Sequence, residues 1–229
     1  MIEPSSDTLI IPAEAEERIE ETFASGTPKL ASYWIADIQI GRRFWDMDGM
    51  LGLEYRMHGE HMHGLFRRWD AGILTHETAY RDGKEHGTAR QYDQHGTMIG
   101  SYTMIDGTGL DLWFYAAGVL AEERACHDGA LHGFERWWND DNATIYQESH
   151  FWHGQEHGVF RRWNAHGRLA RGYPQYFIKG RKVTKRQYLQ ASATDDTLPR
   201  FQIADHNPHR TLPMCRQPDT EKDQTSIRG

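Results

Sequence analysis

Two cysteines in 229 residues are too few for a disulfide framework, so a reducing compartment is expected. Cys126 and Cys215 are the pair, and Cys215 lies in a polar stretch. Cys126 adjoins His127 in a segment that reads as strand. Neighbours on a strand point to opposite faces, which argues against a nucleophilic dyad. Aliphatic material is scarce: hydrophobic residues make up 38% and mean hydropathy is -0.77, too little for a thick interior. No apolar run is long enough to span a membrane, and the opening "MIEPSSDTLIIPAEAEE" lacks a basic n-region and an apolar h-region. A cytoplasmic protein is expected. Positive charge is also lacking. A formal charge of -7 argues against a general nucleic-acid binder. Protonating all 14 His would take it to +7, so binding could vary with pH across the histidine range.

Glycine and aromatic rings are what the chain has in plenty, with 22 Gly and 8 Trp. They recur in order. "DGKEHGTARQYDQHG" starts at Asp82, "DGALHGFERWWNDDN" at Asp128 and "HGQEHGVFRRWNAHG" at His153. Anchoring each copy on its second glycine gives Gly64, Gly87, Gly109, Gly133 and Gly158, at intervals of 23, 22, 24 and 25 residues. Five positions later stand Trp69, Tyr92, Phe114, Trp138 and Trp163, and an earlier half-copy, "GRRFWDMDG", adds Trp45. Each period holds two turn signals flanking aromatic and β-branched residues, which predicts a hairpin. Glycine and asparagine punctuate too often for packed helix pairs. The expected fold is therefore mainly β, an elongated antiparallel meander of tandem hairpins.

The pattern resembles the MORN-variant repeat family, whose units read roughly dG-x-x-hG-x-x-x-x-aromatic-x-x-x-G. Asp82, Gly83, His86, Gly87, Tyr92 and Gly96 carry the match, which covers residues 40–172. The resemblance implies a glycine-punctuated β-meander with stacked aromatics. It also suggests a binding role: some bacterial members carry antitoxin labels, and related repeats act as scaffolds or are proposed lipid binders. The unit "DGTGLDLWF" departs from the pattern, being shortened and having Thr108 in place of His, and Asn142 departs again. A weaker likeness joins "YDQHGTMIG" to the YD repeats of large secreted shells.

Charges follow the same period. Arg43, Arg67, Arg90, Arg136 and Arg161 lie two positions before the aromatic, and Leu112 breaks the column. A second column holds Glu77, Glu123 and Glu148, with Ser101 in the unit of Leu112 and Glu54 shifted by one. A turn centred between Gly83 and Lys84 sets Glu77 opposite Arg90; the same rule pairs Glu123 with Arg136 and Glu148 with Arg161. The ladder is a structural device of about 0.2–1 kcal/mol per pair, or its arginines also read an anionic partner. The aromatics are sheet-face core, or a platform for a peptide or glycan. Candidate binding residues are therefore Trp45, Trp69, Tyr92, Trp138, Trp163, Arg67, Arg90, Arg136 and Arg161.

His63, His86, His132 and His157 precede the anchor glycines and are read as turn residues. Side chains two strands apart, about 9.5 Å, do not converge on a metal. "HGEHMHG", with His58, His61 and His63, is the best local cluster but has no acidic or Cys ligand nearby in a fixed geometry. No metal, cofactor or catalytic motif is expected.

The ends should cap the sheet. "PAEAEERIEETFASG" predicts an N-terminal helix with Ala15, Ile19 and Phe23 as its apolar stripe, within a cap of residues 1–39. Residues 173–192 predict strand, turn, strand and a short helix capped by Thr184, with Tyr188 and Leu189 facing the sheet. The basic run there adds Lys179, Arg181 and Lys182 as candidates for an acidic partner. Residues 193–229 read as a disordered polar tail carrying "TLPRF" and "TLPMC" as candidate docking motifs. The expectation is a non-enzymatic interaction module for another protein, with an anionic-lipid scaffold as the alternative.

Overall fold

The computed structural model describes residues 9–213. Its first strands are β1 (Glu16–Thr22), β2 (Pro28–Ile35), β3 (Ile38–Trp45), β4 (Leu51–His58), β5 (His61–Asp70) and β6 (Ile73–Arg81). Next come β7 (Lys84–Glu85), β8 (Gly87–Tyr92), β9 (Met98–Ile105), β10 (Thr108–Phe114) and β11 (Leu120–His127). The last are β12 (Ala130–Trp138), β13 (Ile145–Trp152), β14 (Gln155–Glu156), β15 (Gly158–Arg162), β16 (Gln175–Ile178) and β17 (Arg181–Val183), followed by α1 (Lys185–Ser192). Successive strands pair antiparallel, except that β7 and β8 both pair with β6, and β14 and β15 both pair with β13, giving one open 17-stranded meander. No helix among the described residues is long and apolar enough to cross a membrane.

The expected pairs form. Glu77 stands opposite Arg90, Glu123 opposite Arg136 and Glu148 opposite Arg161. The expected turn centre is off by one, however. Arg81 pairs with Lys84 around Asp82–Gly83, and a bulge at His86–Gly87 then advances the register. The two offsets cancel. Gly158 shows why the bulge needs glycine: its φ is +152°, and a Cβ there would stand 2.4 Å from the His150 Cβ.

The repeating His belongs to the turns, but to the next one along. The His86 Nδ1 accepts the Asp106 N–H at 3.2 Å, and the His157 Nδ1 accepts the Lys179 N–H at 3.0 Å. Where Thr108 replaces His, its Oγ1 accepts the Asp128 N–H at 3.1 Å. The carbonyl just before each of these residues accepts the following glycine N–H: Glu85 from Gly107 at 2.7 Å, Gly107 from Gly129 at 3.0 Å and Glu156 from Gly180 at 2.8 Å. These two-residue turns are thus stitched to their predecessors. A residue holding positive φ, such as Asp106 or Lys179, leaves its N–H free for this bond.

Two expectations about the ends are corrected. The predicted N-terminal helix is instead strand β1, which pairs with β2 from Glu16–Trp34 to Thr22–Pro28. Three apolar residues at helical spacing had little to bury, and Ile19 stays 45% exposed. As an edge strand the segment satisfies the backbone of β2, and its charges discourage further pairing. The Lys29–Glu21 ion pair and the Arg18 guanidinium over the Trp34 ring hold it. The tail is corrected as far as Pro213. Residues 193–213 form a strap in which Leu198 is buried with Val159, Tyr176 and Tyr188. The Trp163 Nε1 donates to the His206 carbonyl at 2.7 Å, and the Ile145 N–H donates to the Pro208 carbonyl at 3.0 Å. Polar composition concealed these ties. "TLPRF" is consumed by this packing, whereas "TLPMC" runs beyond the described residues. The short C-terminal helix forms as expected, with Thr184 and Gln187 closing a capping box and Tyr188 fully buried. Leu189 is 42% exposed and does not join that core.

Candidate functional site: a groove behind a charged ladder

The Arg and Glu columns form a ladder of three separate ion-paired runs. Glu54 bridges Arg43 and Arg67 at 2.6 and 2.5 Å, and Arg90 reaches Glu77 at 3.0 Å. In the second half Arg136 bridges Glu123 and Glu148 at 2.8 Å each, and Arg161 reaches Glu148 at 2.9 Å. Most carboxylate capacity on this face is therefore taken by arginine, and the reverse.

The sequence-predicted residues lie mostly on this face, in varied states of burial. Trp138 and Trp163 are in the core with Leu112, Phe114, Leu120 and Ile145, and Arg161 is only 2% exposed. These three are closed to any partner. Trp45, Trp69 and Tyr92 are half-buried, as are Arg67, Arg90 and Arg136. Trp45 packs on the Ile11 cluster, and the Arg67 guanidinium lies 5.5 Å from the Trp69 ring centre. Lys179, Arg181 and Lys182 are exposed around the β16–β17 turn, separate from the rest.

The opposite face holds residues outside the Arg and Glu columns. Because strand neighbours alternate, each ladder residue has an adjacent residue facing the other way. Those neighbours are Phe44 beside Arg43, Tyr55 beside Glu54 and Phe66 beside Arg67. Phe44 and Tyr55 stack with centroids 6.1 Å apart, and Phe66 meets Tyr80 edge-on at 6.3 Å. Phe44, Tyr55 and Phe66, with Leu53, Met57, Met62 and Glu60, line an open, largely apolar groove of about 510 Å³. The signal was present as simple alternation on β3, β4 and β5.

Phe66 also lines a polar cleft formed where the sheet breaks, so the groove and the cleft adjoin there. Strands β9 and β10 pair only through Ile105–Thr108 and Met104–Gly109, then part. Gln91 of β8 fills the gap: its Nε2 donates to the Leu112 carbonyl and its Oε1 accepts the Phe114 N–H, both at 2.9 Å. The Phe114 ring occupies the space over Gly100, where a Cβ would stand 2.2 Å away. The sheet thereby folds onto itself, and His76 of β6 stacks on Trp113 of β10 at 4.6 Å. The irregular unit flagged by Thr108 and Leu112 is this fold-over.

Glu85, Asp111, Tyr80, Tyr102, Arg124 and Cys126 converge in the cleft, which has a volume of about 320 Å³ on the Cys126 side. Burial and the Asp111 charge push the Glu85 carboxyl up, although it accepts from Tyr80 and Tyr102 at 3.3 and 3.4 Å. Arg124 pairs with Asp111. Burial, with Asp111 next, raises the Cys126 thiol to about 11, so it is protonated at neutral pH and a weak nucleophile. The cleft thus offers carboxylate acceptors and phenols, joined to an apolar groove. That chemistry suits holding a cationic or hydrogen-bonding group next to an apolar one.

No family model matches the chain, and no characterised protein matches it in sequence.

Proposed function

We propose that the chain is a non-catalytic, MORN-like binding module of the cytoplasm that takes a segment of another protein along its groove. An immunity-type or scaffold role is in keeping with the resemblance of its repeats. The observation that carries the reading is the open aromatic and methionine groove ending at Glu85 and Asp111. Adaptable apolar surface beside the Glu85 and Asp111 carboxylates fits an extended peptide with an apolar anchor followed by Lys or Arg. The ladder arginines, largely engaged with glutamates, are poorly placed to bind an anionic partner. Selection from a random peptide display library on the immobilised chain tests this. Apolar-basic sequences should enrich on the wild type and be lost on Phe66→Ser and Glu85→Gln. Enrichment that is equal on both variants, or none at all, removes the proposal. Flotation with anionic vesicles that Lys182→Glu abolishes would replace it with the lipid scaffold.

A further inference from the structure

Every stitch between hairpins brings the same three positions together: the residue before one turn, the residue before the anchor glycine, and the first residue of the next turn. In one stitch these are Arg81, His86 and Asp106, which tie into an ion pair of Arg81 with Asp106. In another they are Trp152, His157 and Lys179. In the stitch joining the β4–β5 and β6–β7 turns, all three are metal-ligand types: His58, His63 and Asp82. Their ligand atoms lie within 4.8 Å of one another, the one such group among the described residues.

We propose that His58, His63 and Asp82 bind a divalent transition metal ion, with zinc as the expected occupant. The set escaped the sequence because its acidic member comes from the next hairpin, 19 residues beyond His63. The backbone fixes that member. Asp82 holds φ of 49°, and the Gly83 N–H bonds the Met62 carbonyl at 2.9 Å, next to His63. The His63 Nδ1 faces the Asp82 carboxylate at 3.1 Å, much as the His86 Nδ1 stands 3.0 Å from that of Asp106. What differs is the third member: Arg81 takes up Asp106 in the His86 stitch, whereas His58 occupies that position beside His63. Tetrahedral zinc with bonds of about 2.0–2.2 Å separates its ligand atoms by roughly 3.3–3.6 Å. The His63–Asp82 distance is close to that. The His58 ring, 5.6 Å from His63 between centroids and exposed, closes the remaining gap by a small swing. Two imidazoles and one carboxylate suit zinc, with cobalt as a faithful stand-in. Water, or His61 lying against Gly83, takes the fourth position.

One further stitch supplies a control. His127, His132 and His153 occupy the equivalent three positions, with ring centroids 4.9–6.2 Å apart, but lack a carboxylate. The test is titration of the EDTA-stripped full-length chain with cobalt chloride, followed by visible absorption and zinc competition. One equivalent should bind in the micromolar range or tighter with a tetrahedral band. His58→Gln with Asp82→Asn should weaken binding at least tenfold; Asn tolerates the positive φ, and an unchanged metal-free urea midpoint confirms the fold. His58→Gln alone alters only an exposed ring and should give the same direction. His127→Gln with His153→Gln should leave the site intact. Absence of the band, a loss under tenfold in the double variant, or loss confined to the His127 and His153 variant overturns the assignment.

Discussion

Glu148 and Glu77 hold equivalent positions in one ladder, each opposite an arginine, yet they should differ several-fold in what their charge contributes. Glu148 is only 2% exposed and accepts from Arg136 at 2.8 Å, Arg161 at 2.9 Å and Arg210 at 3.2 Å. Replacing it with Gln leaves Arg161, itself 2% exposed, with Asp205 as its remaining carboxylate at 3.1 Å. Breaking a buried pair on one side costs about 3–5 kcal/mol, and the Asp205 contact should hold this case to about 3. The Glu77–Arg90 pair is more open, with Arg90 at 38% side-chain exposure, so Glu77→Gln should cost about 0.2–1 kcal/mol. Urea unfolding of both variants measures the difference. A double-mutant cycle adds the coupling: Arg161→Met should cost far less on top of Glu148→Gln than alone. The pH profile has a definite sign. Burial pushes the Glu148 carboxyl up, but hydrogen bonds from His150 and Arg210 outweigh it and hold it well below its ordinary 4.5. Its contribution is thus fully present above pH 4.5 and is lost as the pH falls below it. Equal costs for the two variants, or no coupling with Arg161, would refute the reasoning.

Truncation after Thr194 should expose Tyr188 and Trp163 and lower the urea midpoint markedly; an unchanged midpoint would return the strap to the status of a tail. Gly100→Ala should cost about 1–3 kcal/mol, since the new Cβ meets the Phe114 ring, and tryptophan fluorescence should report the disturbance at Trp113. Burial, partly offset by Asp195, lowers the His157 pKa below 6.5. Its neutral Nδ1 stabilises the last stitch above pH 6.5, and that contribution falls as the pH drops from there towards the folded value. Histidine chemical shifts should place the His157 pKa below 6.5, and His157→Ala should flatten this part of the stability profile.

How far the residues disclosed the molecule depended on whether a feature was periodic. Arg90 and Glu77 were paired correctly because both recur with the hairpin. The paired loss of Arg and Glu at Leu112 and Ser101 marked the fold-over without revealing that Gln91 would bridge it. Phe44, Tyr55 and Phe66 also alternate, but their positions are not aromatic in every copy, with Ala89 and Glu135 standing where Phe66 does, so the period does not single them out. Ile19 and Phe23 satisfied a helical template as well as a strand, and only the open edge of β2 decides between them. Leu198, Phe201 and Arg210 had no periodic context; their partners Tyr188, Tyr176 and Glu148 are identified by contact alone. Asp82 was seen as a turn residue because its second role depends on a neighbour across the stitch.

The sparse pairing between β9 and β10 has a mechanical meaning. Tension drawn across the sheet passes there through two pairs of residues and the Gln91 side chain, against five to seven pairs at most other seams. The array should yield first at that seam, as a fuse does, parting into two hairpin stacks whose internal rungs remain intact. A ligand lying across the break would then act as a clamp on the weakest link.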